Sequence, residues 1–397
     1  MSRTQAVTGS IGHVAFKSRN WDMVVILVTV ALLGLGLVMV MSASIPIAEK
    51  RLGQSFYYFT RQSVFVVVGL LAALLVTRIP IKHWQQAGPA LLLLSFVLLV
   101  VVLLPGVGKQ VNGSVRWLPL GFVNLQVSEL VKLMMFIYLA GYLVRRGDEV
   151  RTTARGFLKP MLVLSFAVVL LLLEPDFGAA AVILATALGM MYMAGVGLIK
   201  FIALIMTTAG AMALLTLVSP YRMQRVLSFM NPWEDPYNSG FQLTQSLIAF
   251  GRGEWFGVGL GGSIQKLFYL PETHTDFLYA ILAEELGLVG AMLVIILFAI
   301  LVWRAFIIGA HATSMQQYFA AYLAYGIGIW IGLQAFINIG VNMGVLPTKG
   351  LTLPLMSYGG SSIVATLVAI GMLARIGYEA TCYDNDPSRS TRKGVAK

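Results

Sequence analysis

Pro271-Glu272-Thr273-His274-Thr275-Asp276-Phe277 closes a long polar loop and runs without a break into the apolar stretch 277–303, which carries Glu284 and Glu285. A bilayer is crossed by about 20 mostly apolar residues, so this stretch is long enough to span one. Acids set against such a stretch are costly and tend to persist only where they have work to do. The junction therefore predicts both a transmembrane helix and a functional carboxylate at its polar end.

The rest of the chain agrees with a membrane setting. Hydrophobic residues make up 58% of the 397 positions and charged ones 11%, with a mean hydropathy of +0.82. A soluble domain carries about 25% charged residues. The fold class is therefore all-α, a polytopic membrane protein with about ten spans. They are expected near 23–44, 62–79, 88–104, 127–145, 160–174, 178–197, 200–218, 277–303, 315–342 and 358–378. Glu174-Pro175-Asp176-Phe177-Gly178 reads as a tight reversal between the fifth and sixth. The domain plan is an N-terminal tail (1–21), a transmembrane domain (22–378) holding one large loop (219–276), and a polar tail (379–397).

With the N-terminus in the cytoplasm, more than half of the 28 Lys and Arg fall on cytoplasmic segments. The positive-inside rule selects that orientation, with both termini cytoplasmic and the large loop outside. The net charge of +11 then follows from topology and argues against a nucleic-acid partner. No cleavable signal peptide is expected, because the first span is too long for an h-region. The single cysteine, Cys382, leaves neither a disulfide nor a thiolate metal site within the chain. Polar residues crowd the outer segments: Lys109, Asn112, Arg116 and Trp117 in one loop, Gln126 to Lys132 at the fourth span, and Asn342 to Pro354 near the C-terminus. Within the large loop, Arg222 to Phe229 and Gln242 to Phe250 each read as a short amphipathic helix lying in the interface plane. Gly257, Gly259 and Gly262 match G-x-G-x-x-G, but no βαβ unit surrounds them, so they are not a nucleotide fingerprint.

Four motifs carry a resemblance. Asn231-Pro232-Trp233-Glu234-Asp235-Pro236, then Gly240 to Gly251, then the 271–277 stretch resemble the SEDS family (shape, elongation, division and sporulation), and Leu355-Met356-Ser357-Tyr358-Gly359-Gly360-Ser361-Ser362 resembles its C-terminal signature. Gln242 to Ser246 and Val345 to Gly350 look more like the division member than the elongation member. Val127 stands where the family has proline, and Glu174 where glutamine often precedes the proline. The resemblance implies a septal peptidoglycan glycosyltransferase of the bacterial inner membrane. Such an enzyme polymerises lipid II, with a class B penicillin-binding protein (FtsI) and other divisome membrane proteins as partners.

That chemistry sets its own requirements. A sugar hydroxyl displaces a polyprenyl pyrophosphate, which is already a good leaving group, so one positioned base is the minimum and contributes roughly 10²–10⁴-fold. Glycoside hydrolysis, with a poor leaving group, needs a carboxyl pair instead. Asp276 is the expected base; an acid that merely caps the helix is the plain alternative. His274 is a rival base, against an ordinary interfacial hydrogen bond. Glu272, His274 and Asp276 together could hold a divalent ion such as Mg²⁺ or Mn²⁺, and no cofactor is established by the sequence. Arg116, Lys132, Arg252 and Lys349 are candidate cations for the pyrophosphate, against a lipid-headgroup or structural contact, which is the more ordinary role for any one of them. Glu129 and Lys132 share a helical face and either pair or point into the site. Ser357, in the signature, is a further substrate-binding candidate. Glu284 and Glu285 point about 100° apart, so one is expected to pair with another helix while the other approaches the site. Two other functions remain open: a lipid II flippase, which would need polar groups through the whole bilayer, and a non-catalytic division scaffold.

Overall fold

The structure is a computed structural model. It describes residues 21–384 apart from 112–113, 120, 122–123, most of 198–228, 239 and 349. In chain order, α1 (Met23–Leu52), α2 (Tyr57–Arg78) and α3 (Ile81–Leu103) lead into a small antiparallel sheet, β1 (Lys109–Val111), β2 (Ser114–Pro119) and β3 (Asn124–Gln126). Then follow α4 (Val127–Thr152), α5 (Ala154–Leu173), α6 (Phe177–Met193), α7 (Phe241–Gly253), α8 (Leu278–Ser314), α9 (Tyr318–Asn342) and α10 (Gly360–Asp384).

Among the described residues, eight helices are long and apolar enough to cross a membrane, and α6 is a shorter apolar helix. These nine match nine of the expected spans; the remaining one, 200–218, lies largely outside the described residues. The helix α10 continues past 378 to Asp384 with Ala380 and Thr381 buried, so the packed body extends further than the sequence suggested. The sheet was not expected. Its strands are three to six residues long, β2 and β3 mostly half-buried and β1 exposed at Lys109 and Gln110, too short for an alternation to stand out.

The bundle interior is built from α4, α9 and α10, whose most apolar windows are 72% buried, against 22% for α2 and α3. The inner helices bury polar residues that lipid would not tolerate, and the outer ones expose mainly Val and Leu along their middle turns while their polar residues gather towards the ends. Arg304 pairs with Asp22 and Arg375 with Glu379 at one end of the bundle, and Asp276 opens α8 at the other.

The helix α7 exists where the sequence placed it, and it packs beside the first turns of α8. Its residues step down those turns. Ser246 donates to the Asn342 carbonyl at 2.7 Å, the Phe250 ring meets Tyr279, and Gly253 abuts Ala283 and Glu284. Below Gly253, α8 breaks at Gly287 (φ 66°, ψ −167°). The loop after α7 fills that break: Leu288 and Val289 N–H donate to the carbonyls of Glu254 and Trp255, and Val258 and Gly259 N–H donate to those of Glu284 and Glu285. Irregular backbone at membrane depth survives only when paired in this way. A Cβ on Gly257 would stand 2.1 Å from the Glu285 carbonyl oxygen, so only glycine permits the approach. The other predicted loop helix, 222–229, lies largely outside the described residues.

Candidate active site

The α9 helix presents Gln334, Asn338 and Asn342 at four-residue intervals along one face, and this polar stripe organises the site. Asn338 and Asn342 each donate an Nδ2–H to the Asp276 main-chain carbonyl at 2.9 Å. Asn342 Oδ1 accepts the Ala280 N–H at 3.1 Å, so Asn342 satisfies a donor that an N-cap side chain would otherwise take. Phe277, at the N-cap position of α8, makes no side-chain cap. Asp276 therefore does not cap the helix. Its backbone is clamped, and its carboxylate accepts no hydrogen bond among the described residues.

That carboxylate is half-buried and lies close to Gly350, whose added Cβ would stand 3.1 Å from Oδ2. Burial, and next the charge of Glu272, push the Asp276 pKa from 3.8 to about 7, while Arg116 pulls the other way. A carboxylate of that basicity can accept a proton from an alcohol far better than an ordinary surface aspartate.

Around it the candidates separate. Arg116, on β2, donates to the Glu174 carbonyl at 3.4 Å and to the Pro175 carbonyl, and its guanidinium lies 3.9 Å from Asp176. The Glu174 carboxyl is fully buried and finds no hydrogen-bond partner among the described residues; burial and the neighbouring Asp176 raise its pKa to about 8. Asp176 caps α6 through the Ala179 N–H. Lys132 is fully buried, donating to Glu129 at 2.8 Å and Gln334 at 2.7 Å, and Gln334 in turn donates to the Thr352 carbonyl. Of the two readings for Glu129 and Lys132, the pair is the one that forms, but the second Glu129 oxygen is buried and bare. Asn338 donates to the Leu351 carbonyl, so the 351–353 segment links this pair to Asp276.

His274 is buried between Tyr58 and Tyr358, with ring centroids at 4.5 and 5.5 Å. Burial lowers its pKa to about 4, so it is neutral at physiological pH. Glu272 turns to the Thr275 hydroxyl at 2.8 Å and adopts a left-handed φ of 55°. Among the described residues no three His, Cys, Asp or Glu side chains converge to hold a metal. Glu272, His274 and Asp276 thus do not fit the divalent-ion arrangement. Ser357 Oγ accepts the Leu353 N–H at 2.9 Å and shapes the signature loop. Lys349 lies outside the described residues.

Glu284 and Glu285 differ from expectation. Both are fully buried and both are taken up structurally: Glu284 by Arg252 at 2.8 Å and by Ser263, Glu285 by Lys266 and Ser42 at 2.7 Å. Arg252 is thereby tied about two helical turns along α8 from Asp276. The sequence assigned no role to Gln334, Asn338, Asn342 or Lys266, Asn342 being noted only within a polar outer segment. The first three were detectable as a polar stripe in an apolar span; Lys266 sits in a loop with no periodic signal.

Fold and site together define a multi-pass membrane protein that holds a bare, basic carboxylate where one span meets the membrane surface. Residues 23–382 match the family of cell cycle proteins FtsW, RodA and SpoVE, and the chain belongs to it. Curated relatives named probable peptidoglycan glycosyltransferase FtsW include that of Thioalkalivibrio sulfidiphilus, 58% identical over 91% of this chain and 90% of its own. Another, from Nitrosococcus halophilus, is 59% identical over 95% and 96%. Among solved structures, a component of a peptidoglycan synthase complex that coordinates polymerization and crosslinking superposes with a TM-score of 0.74 at 29% identity, covering 91% of this chain and 98% of its own. Thermus thermophilus rod shape determining protein RodA gives 0.67 at 28% identity, covering 90% and 96%.

Proposed function

We propose that the chain is a peptidoglycan glycosyltransferase that polymerises lipid II into glycan strands during septal wall synthesis, with Asp276 as the general base. The acceptor 4-hydroxyl oxygen attacks the donor's anomeric carbon and gives its proton to an Asp276 Oδ. The bond from that carbon to the pyrophosphate breaks with inversion, and the polyprenyl pyrophosphate leaves with the electron pair. Arg116 meets negative charge beside Asp276, and the Lys132–Glu129 pair holds the 351–353 segment through Gln334. Asp276 faces the periplasm, both termini are cytoplasmic, and a class B penicillin-binding protein, FtsI, is the working partner. The observation that carries the reading is the Asp276 carboxylate, free of any hydrogen bond among the described residues, on a backbone clamped by two asparagines.

The test is polymerisation of labelled lipid II by the purified chain with FtsI. Long glycan strands are expected from the wild type and none from Asp276→Ala, with FtsI binding intact. Polymer from the variant would overturn the assignment. Lipid II scrambling without polymer by both proteins would indicate a flippase instead.

A further inference from the structure

The end of the bundle opposite Asp276 holds a feature that glycan transfer does not use. The helix α4 loses helical geometry at Arg146 (φ −130°, ψ 21°). A cavity of about 450 Å³ opens between its last turns and the start of α9, lined among others by Val144, Arg145, Arg146, Arg151, Tyr318 and Tyr322. Small-ligand sites commonly have this size.

The cations in it are unequally neutralised. Arg146 pairs with Glu149, which also faces Lys159 at 3.9 Å. Arg151 donates to the Ala194 carbonyl at 2.6 Å and the Tyr322 hydroxyl at 3.3 Å, with Asp148 at 3.8 Å. Arg145 has no hydrogen bond or ion pair among the described residues. Its guanidinium folds back over Gly141, where an added Cβ would stand 3.1 Å from Nη1. The lining grades from apolar to cationic: Val144 is exposed at one side, and the Tyr318 and Tyr322 rings stack at 6.5 Å. Tyrosines favour headgroup depth, and basic pockets between membrane helices hold lipid phosphates. A guanidinium fork matches two phosphate oxygens.

We propose that this cavity binds the phosphate headgroup of an anionic phospholipid, with Arg145 as its anchor and Arg146 as a second contact. The apolar edge at Val144 is where the acyl chains leave, which a free phosphate would not need.

The test uses the full chain in nanodiscs of phosphatidylcholine and phosphatidylglycerol, with retained lipid counted by native mass spectrometry. The wild type retains phosphatidylglycerol over phosphatidylcholine. Arg145→Gln lowers its occupancy about fivefold, and Arg145→Gln with Arg146→Gln about thirtyfold. Gly141→Ala, which keeps the charge but crowds the guanidinium, also lowers it while thermal unfolding stays unchanged. Lys82→Gln, which removes an exposed charge at the same end, has no effect. Equal retention by wild type and double variant overturns the proposal. So does an equal loss in Lys82→Gln, which would reduce the effect to general attraction. Arg145-dependent binding of inorganic phosphate without any preference for phosphatidylglycerol would overturn the lipid as the source of the phosphate.

Discussion

Replacing Asp276 by asparagine separates chemistry from architecture. The substitution keeps the shape and leaves both asparagine contacts in place, because these reach the main-chain carbonyl. It removes the base, so turnover should fall roughly 10²–10⁴-fold. Stability should move the other way. The folded-state pKa of about 7 lies above the ordinary 3.8, so the folded chain binds the extra proton between those values. Stability of the wild type therefore falls as pH rises from about 4 to 7 and stays lowered above that. At about 1.4 kcal/mol per tenfold shift, the penalty is at most about 4 kcal/mol. Solvent contact on the half-buried carboxylate screens it, so about 1–2 kcal/mol is the realistic gain for Asp276→Asn at pH 8. The assay pairs lipid II polymerisation with thermal unfolding at pH 4 and pH 8. An inactive variant that is more stable at pH 8 and unchanged near pH 4 supports the reasoning. A variant that keeps its activity, or that loses stability at pH 8, refutes it. Wild-type turnover should itself rise with pH through about 7, as the base ionises.

Gly350→Ala places a methyl 3.1 Å from Asp276 Oδ2, so the carboxylate must shift by a few tenths of an ångström; turnover should drop about tenfold with the melting temperature unchanged. Glu285→Ala strands the buried Lys266 ammonium and should cost about 3–5 kcal/mol, read as lost thermal stability, whereas Glu285→Gln with Lys266→Met should recover most of it. Glu174→Gln replaces a carboxyl whose pKa is about 8 with a neutral isostere. Because that pKa is raised, ionisation destabilises the wild type as pH climbs; unfolding curves should coincide at pH 4, and the variant should be the more stable at pH 9.

Much of the bundle was legible beforehand. Nine spans follow from apolar runs, because lipid forces every backbone group to be paired within its own helix. The position of an acid at the head of α8 was legible too, since Asp276 directly precedes the apolar run. The fates of Glu284 and Glu285 were not. Their partners Arg252, Lys266 and Ser42 lie 19 to 243 residues away, and no local pattern announces them. The descent of α7 along α8 was hidden for the same reason: its amphipathic face fits an interface as well as it fits a neighbouring helix.

The sequence alone determined the membrane class, the number and placement of the described spans, and the acid at the head of α8. Burial periodicity and charge cost are local properties that any chain must display in order. Only the tertiary structure decided that Asp276 is freed from capping because Asn342 does that work, and that Glu284 and Glu285 are taken up by Arg252 and by the buried Lys266. Those outcomes depend on which side chains from distant segments arrive at hydrogen-bonding distance, and that is settled by packing.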